Sequence, residues 1–376
     1  MSTEDFCLFL KHQTRFNLGR IEPCCWFSRK TNAYDPIEIK DYRNRIAEID
    51  GWVDECNHCW HLESRNTDSP RLIAARDPGM LGITDTTGPR DITALEIQVD
   101  SECNAACIQC GSYSSTTWQK YQSTKTINKQ EFNKQITLNN QYSTGQHIEM
   151  IKQSVDFSKL TQLSFLGGEP LINDNHVHLI KEIAKYKSLA TVSLRYTTNG
   201  SQLLTDEIID LWRQVKSVNL LISIDGIDEH FNYHRWPLQW HQVENNIKFF
   251  RDLDLPNLKL GISSTVTPFN IFYYDRYLQW QEEFFKNNKS KLRGGFVYAH
   301  AAQGTQVNMY SIPPRLSEQI KIKYKDFSWL VSKIETFDVN QYNNFMGYIY
   351  FHDQKRGLNW QEVFPEIVEY FDQWSN

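Results

Sequence analysis

Six short stretches, each alternating apolar and polar residues, constrain this chain more than any other feature. They are "TALEIQVD", "LTQLSFLGGEP", "ATVSLRYTTNG", "SVNLLISIDG", "LKLGISSTVTP" and "GGFVYAH". In the first, Leu95, Ile97 and Val99 alternate with polar neighbours, the period-two signature of a strand. Helix-like segments separate the runs, among them "DNHVHLIKEIAKYKS", "LLTDEIIDLWRQVK", "WHQVENNIKFFRDL" and "DRYLQWQEEFFKNNK". Strands alternating with helices predict an α/β fold around a parallel sheet, curled or open. Several strand ends carry Gly, Pro, Asn or Asp, and that edge is where such folds place their sites.

Around this core the chain divides into four parts. Residues 1–78 are irregular and hold five of the eight cysteines, residues 79–91 read as a linker, residues 92–302 carry the strands, and residues 303–376 form a helical extension. Residues 117–158 are rich in Gln, Asn, Lys and Thr and exceed a minimal crossover, so a helix with a loop or lid is expected there. With 23% charged residues and a formal net charge of −5, nothing global favours nucleic acid or an anionic membrane. The amino terminus lacks a secretory pattern and no run approaches the roughly 18 apolar residues of a membrane span. A cytoplasmic protein is expected.

All eight cysteines precede residue 111, although the later core also needs small apolar side chains. Clustered thiols in a reducing compartment point to metal rather than to disulfides. Cys103, Cys107 and Cys110 fall within eight residues as C-x3-C-x2-C, so one tight loop can aim all three at one centre. A [4Fe–4S] cube is suited to thiolates, and three of them leave one iron open to a further ligand. A zinc site borrowing His176, or three incidental cysteines, also fits the spacing taken alone.

"CNAACIQC" after the first strand, "FLGGEP" after the second, and then "TTNG" and "SIDG" closing later strands together resemble the radical S-adenosylmethionine (SAM) superfamily over residues 92–302. The resemblance implies a partial (βα)6 TIM-type barrel. It implies that Cys103, Cys107 and Cys110 ligate a [4Fe–4S] cluster whose fourth iron is chelated by SAM. Gly167, Gly168, Glu169 and Pro170 would hold the methionyl amino group, and glycines there suit a close backbone approach. Asn199, Ser223 and Asp225 lie where the family reaches the ribose and carboxylate, and Arg235 in "YHRWP" would fork onto the SAM carboxylate. The implied reaction is reductive cleavage of SAM to a 5′-deoxyadenosyl radical that abstracts hydrogen from a substrate. One position departs from the family pattern: the residue before the third cysteine is commonly aromatic and is here Gln109.

The amino-terminal cysteines, in "EDFCLFL", "RIEPCCWFS" and "ECNHCW", are similar to the auxiliary-cluster modules called SPASM and twitch domains, although those usually follow the core. The resemblance implies a second [4Fe–4S] cluster on Cys7, Cys56, Cys59 and one of the adjacent pair, Cys24 being preferred to Cys25. A structural zinc site is the competing reading. His58 and His61 flank the CxxC as possible ligands, Trp26, Trp52 and Trp60 are expected to pack around the metal, and the "HVH" at 176–178 reads as incidental because i,i+2 side chains on a helix diverge.

The expected activity is therefore radical modification by an enzyme, with a peptide or protein as the leading substrate class and a flavodoxin or ferredoxin as the electron donor. Modification of a nucleotide, sugar or RNA base is one alternative, and a non-catalytic iron–sulfur or zinc-binding protein is the other. No membrane partner is expected, and nucleic acid is disfavoured.

Overall fold

The computed structural model describes residues 7–18, 20–27, 44, 52–65, 68–81, 83, 91–98, 100–121, 143–286, 292–301 and 306–372. All six predicted runs form strands: β3 (Ala94–Gln98), β4 (Gln162–Phe165), β5 (Ser193–Thr198), β6 (Ser217–Ser223), β7 (Leu258–Val266) and β8 (Leu292–Ala301). Two strands precede them, β1 (Gln13–Asn17) and β2 (Arg20–Glu22). Among the described residues the sheet runs β2-β1-β3-β4-β5-β6-β7-β8. β1 joins β2 antiparallel, and every other pairing is parallel.

The alternation in sequence becomes two faces in space. Leu194 and Tyr196 of β5, Phe165 of β4 and Leu220 and Ile222 of β6 are buried in the main core. They pack under helices α6 (Asn175–Ala184) and α7 (Asp206–Gln214), which follow α1 (Leu8–His12), α2 (Asn57–Glu63), α3 (Pro70–Arg76), α4 (Thr116–Tyr121) and α5 (Thr144–Ser154) in the chain. Tyr196 shows how: its ring lies 4.9 Å from Phe165 and 5.1 Å from Trp212, and its hydroxyl meets Nδ1 of His176 at 2.9 Å. Local chemistry starts these helices as expected. Thr205 caps α7 by accepting from the Ile208 amide, with Asp206 and Glu207 in the first turn, and Ser143 with Gln146 makes a reciprocal capping box on α5.

The other face of the same strands is polar. One cross-strand row holds Arg15, Glu96, Ser164, Arg195 and Asn219, register partners in sequence from β1 to β6. Arg15 Nε approaches Glu96 Oε1 at 3.3 Å.

The amino-terminal segment has its own small core of Cys7, Phe9, Leu10, Phe27, Val53, Ala74 and Ile83. It is not set apart from the sheet, however, because Phe16 and Ile21 of β1 and β2 belong to the main core. In the Gln- and Asn-rich stretch 117–158 the expected helix is α5, while residues 122–142 lie outside the described ones.

The carboxy-terminal extension is helical as expected. After α8 (Asp228–His234), α9 (Trp240–Asp252) and α10 (Tyr274–Phe285), it contributes α11 (Pro314–Lys323) and α12 (Val339–Arg356). Phe269 anchors it to the core, with rings of Phe345, Trp360, Phe364 and Phe371 at 5.0 to 5.4 Å. Buried Asp353 of α12 accepts from Tyr233 Oη at 2.8 Å and from the Trp360 amide at 2.7 Å. Among the described residues no helix is long and apolar enough to cross a membrane.

Two measurements check this packing. Phe269→Ala removes a buried aromatic from the centre of the cluster and is expected to cost about 3–5 kcal/mol in denaturant unfolding, with earlier proteolysis of the carboxy-terminal helices. Burial also holds His176 and His234 neutral, each with its pKa lowered to about 4. The unfolded chain takes up these protons near pH 6.5, so stability is complete above that pH and falls as pH drops towards 4. Denaturant midpoints across this range should show the loss, and His176→Asn should lessen it.

Candidate functional site

At the carboxyl edge of β3 the chain turns into the loop that carries Cys103, Cys107 and Cys110. Five carbonyls along the turn are taken by donors outside it. Cys103 O accepts from Thr117 Oγ1 at 2.7 Å, Ala105 O from Ser115 Oγ at 2.6 Å, and Cys107 O from Trp118 Nε1 at 2.8 Å. Ala106 O accepts from Arg356 Nη2, and Ile108 O from Tyr348 Oη at 2.8 Å. The amides of Ala106 and Ile108 donate to the carbonyls of Trp236 and His234. The loop is thus held by α4, by the end of α8 and by α12.

The glycines of "GGEP" cross this loop at close range. Gly167 and Gly168 have φ of +77° and +54°, and the Glu169 amide donates to Glu102 O at 2.7 Å. A Cβ on Gly168 would lie 2.5 Å from Glu102 O, and one on Gly167 would lie 2.1 Å from the Gln98 side chain. Glycine is required at both positions by conformation and by space. Pro170 follows, half-buried, and the chain turns into the loop before α6.

Glu169 is fully buried, and its carboxylate is turned towards the end of β5. Oε1 accepts from Thr198 Oγ1 at 2.7 Å and from the Leu171 amide at 3.1 Å, and Oε2 accepts from the Asn199 amide at 2.6 Å. Burial nevertheless pushes its carboxyl pKa up, against these hydrogen bonds. Asn199 in turn reaches the cysteine loop, its Nδ2 lying 3.0 Å from Asn104 Oδ1 and 3.9 Å from Cys103 Sγ.

Asp225, after β6, gathers three donors. Oδ1 accepts from the Thr265 amide at 2.7 Å, while Oδ2 accepts from Gln109 Nε2 and pairs with Arg235 Nη2 at 2.8 Å. Arg235 Nη1 stands 3.7 Å from Cys107 Sγ. Burial opposes the charge of this guanidinium, but Asp225 and all three loop cysteines outweigh it. Gln109, the departure from the family pattern, therefore helps hold the acid that orients Arg235. Ser223 is half-buried at the end of β6, in register with Ser263 of β7.

Two polar atoms here, Arg235 Nε and Gln109 Oε1, are buried without a hydrogen-bond partner. Unpaired buried polar atoms are costly, and beside three thiols they are what a polar ligand would satisfy. Burial raises the pKa of all three thiols, that of Cys110 to about 12. Without a metal cation they keep their protons, and binding one releases them.

The amino-terminal cysteines meet at a second place. Cys7, Cys24, Cys56 and Cys59 line one cavity with Trp26, Trp52 and Arg71. Cys25 is exposed and lies outside that lining. Burial lifts Cys56 to about 12, with Cys7 and Cys59 adding to it. His58 stacks on Trp26 at 4.3 Å, and neither His58 nor His61 lines the cavity. Among the described residues no three His, Cys, Asp or Glu side chains converge tightly enough for a single metal ion. His176, the borrowed zinc ligand of one alternative, packs against Tyr196 and Phe165, and His178 is not among the buried residues of α6.

Sequence reasoning missed Tyr348 and Arg356, which lie some 240 residues beyond the loop they hold, and the Ser115–Trp118 turn that follows it. Only "YHRWP" offered a hint, through a single residue, Arg235.

Residues 98–271 match the family model described as the Radical SAM superfamily. GTP 3′,8-cyclase of Mesorhizobium japonicum is 35% identical over 78 residues, which is 20% of this chain and 23% of that protein. Among solved structures, native anSMEcpe with bound AdoMet is 15% identical, with 64% of this chain and 62% of that chain covered and a TM-score of 0.38. SuiB of Streptococcus suis bound to S-adenosylmethionine is 14% identical, with 86% and 59% covered and a TM-score of 0.38. The chain thus spans less than two thirds of each of these relatives.

The crossing of the two loops predicts a sharp contrast between glycines. Gly168→Ala should lower unfolding free energy by about 2 kcal/mol or more, from the left-handed backbone and the clash with Glu102. Gly145→Ala, in the first turn of α5 with open space around its Cβ, should leave stability the same or slightly higher. Denaturant melts of the two variants beside the wild type measure it.

Proposed function

With a radical SAM superfamily domain over residues 98–271, we propose that this chain is an enzyme that uses Cys103, Cys107 and Cys110 to hold a [4Fe–4S] cluster for the cleavage of SAM. The observation that carries the reading is the placing of three thiols on one loop beside Arg235 and the GGEP turn at one sheet edge, with two buried polar atoms left unpaired. Held by these thiols, the cluster would supply the electron for reductive cleavage of SAM and so the means of radical hydrogen abstraction from a substrate.

The chain's own residues prepare that chemistry. The three thiols ligate as thiolates, and Arg235 offsets their negative charge from a position fixed by Asp225 and Gln109. The guanidinium's free Nε edge suits a carboxylate such as that of SAM. Gly167 and Gly168 offer backbone close to the loop for the amino group, while Glu169 ties the GGEP turn to the TTNG turn. Asn199 spans the cysteine loop from the next strand, and Ser223 and Pro170 complete the rim. The polar row of Arg15, Glu96, Ser164, Arg195 and Asn219 gives the inner face of a partial barrel hydrogen-bonding groups for a substrate.

The second cavity belongs to the same proposal. Cys7, Cys24, Cys56 and Cys59 would hold an auxiliary [4Fe–4S] cluster, with Cys25 outside the ligand set because it is exposed and does not line the cavity. A peptide or protein substrate and a flavodoxin- or ferredoxin-type donor follow from the SPASM/twitch-like cysteine pattern.

Iron, acid-labile sulfide and zinc in anaerobically reconstituted protein test both centres. About eight irons should fall to about four in the Cys103/Cys107/Cys110 triple-alanine variant, and each single alanine variant should lose SAM cleavage. Cleavage retained in any of them would refute the assignment. About four irons falling to none, with one zinc kept, would make the amino-terminal centre a zinc site.

A further inference from the structure

Arg356, the last residue of α12, is half-buried against the back of the cysteine loop, outside the segment that matches the superfamily. Nη2 donates to Ala106 O, and the guanidinium carbon lies 5.3 Å from the Trp118 ring and 5.7 Å from that of Trp236. Nη1 is buried without a hydrogen-bond partner. No carboxylate pairs with it among the described residues. Asp353, one turn earlier on the helix, is already engaged by Tyr233 and the Trp360 amide.

A cation shielded from water with no counter-ion is unfavourable, and guanidinium does not escape by losing its proton. Arg235 has Asp225 as its partner; Arg356 has none. The anionic groups closest along the loop it holds are the thiols once they bind metal, since Cys107 follows directly on the clamped Ala106. A cluster on three thiolates is negatively charged, and one-electron reduction adds a further negative charge.

We propose that Arg356 is a positioning residue whose guanidinium clamps the Ala106 carbonyl and whose positive charge raises the reduction potential of the cluster on Cys103, Cys107 and Cys110. Net charge and nearby hydrogen bonding are the levers a protein has on such a potential. Tyr348 shares the clamp through Ile108 O but carries no charge, so the two residues separate geometry from electrostatics. The inference rests on the cluster reading given above.

The test is a dithionite redox titration of the full-length reconstituted protein, followed by electron paramagnetic resonance. The signal to follow is the one absent from the Cys103/Cys107/Cys110 triple-alanine variant. Arg356→Gln should move its midpoint to more negative potential, and Arg356→Lys should restore most of the shift. Tyr348→Phe should leave the midpoint in place while iron loss to a chelator speeds up about fivefold, the worth of one hydrogen bond. An unchanged midpoint in Arg356→Gln with its cluster retained overturns the proposal. If Arg356→Gln holds no iron, Arg356→Lys decides: iron regained at the wild-type midpoint supports the charge, and failure of this variant too overturns it. A wild-type protein lacking the triple-sensitive signal would instead refute the cluster reading itself.

Discussion

Three thiols buried on one loop are the constraint around which this structure is arranged. A thiol in apolar surroundings resists ionisation, so the loop can carry negative charge only where positive charge and hydrogen-bond donors are held close. The fold supplies them from three directions. Arg235 comes from the end of α8, steadied by Asp225; Asn199 comes from the end of β5, steadied by Glu169; and Arg356 comes from the far end of the chain. Each of these is itself held by a buried acid or by aromatic rings, so local changes at the loop are felt at sites remote in sequence.

The carbonyls of the loop make the same point from the backbone. With Ala105, Ala106, Cys107 and Ile108 all accepting from donors behind the loop, the turn has little freedom to re-form in another shape. Preorganisation of this kind is what a metal centre needs, because a loop that had to order on binding would lose affinity to its own entropy. The aromatic cluster around Phe269 extends that support to the carboxy-terminal helices.

The amino-terminal segment combines two roles in few residues. Its four inward cysteines share a cavity, yet β1 and β2 extend the main sheet, and Arg15 faces Glu96 across the first parallel pairing. Cys24 and Cys25 illustrate how closely the two are joined. Successive side chains point to different places, so one thiol lines the cavity and its neighbour is exposed outside it.

Much of this was legible in the chain alone. The six strands of the parallel sheet, the helices between them and the loop of three cysteines all rest on local signals: period-two burial, helix caps, and donors spaced within one turn. Glycines 167 and 168 were marked by their motif, and their left-handed backbone supplies the reason. What the sequence left undetermined is long-range or lacks a pattern. "QTRFN" is too short and polar to announce β1, which is a strand because β3 offers it an edge. The choice of Cys24 over Cys25 depends on which way each faces. Tyr348 and Arg356 carry no motif, and only packing brings them to a loop some 240 residues away. Local periodicity and ligand spacing thus determined the elements and the chemistry available at their ends. The tertiary structure decided which charges surround the thiols, because burial and counter-charge are properties of neighbours in space.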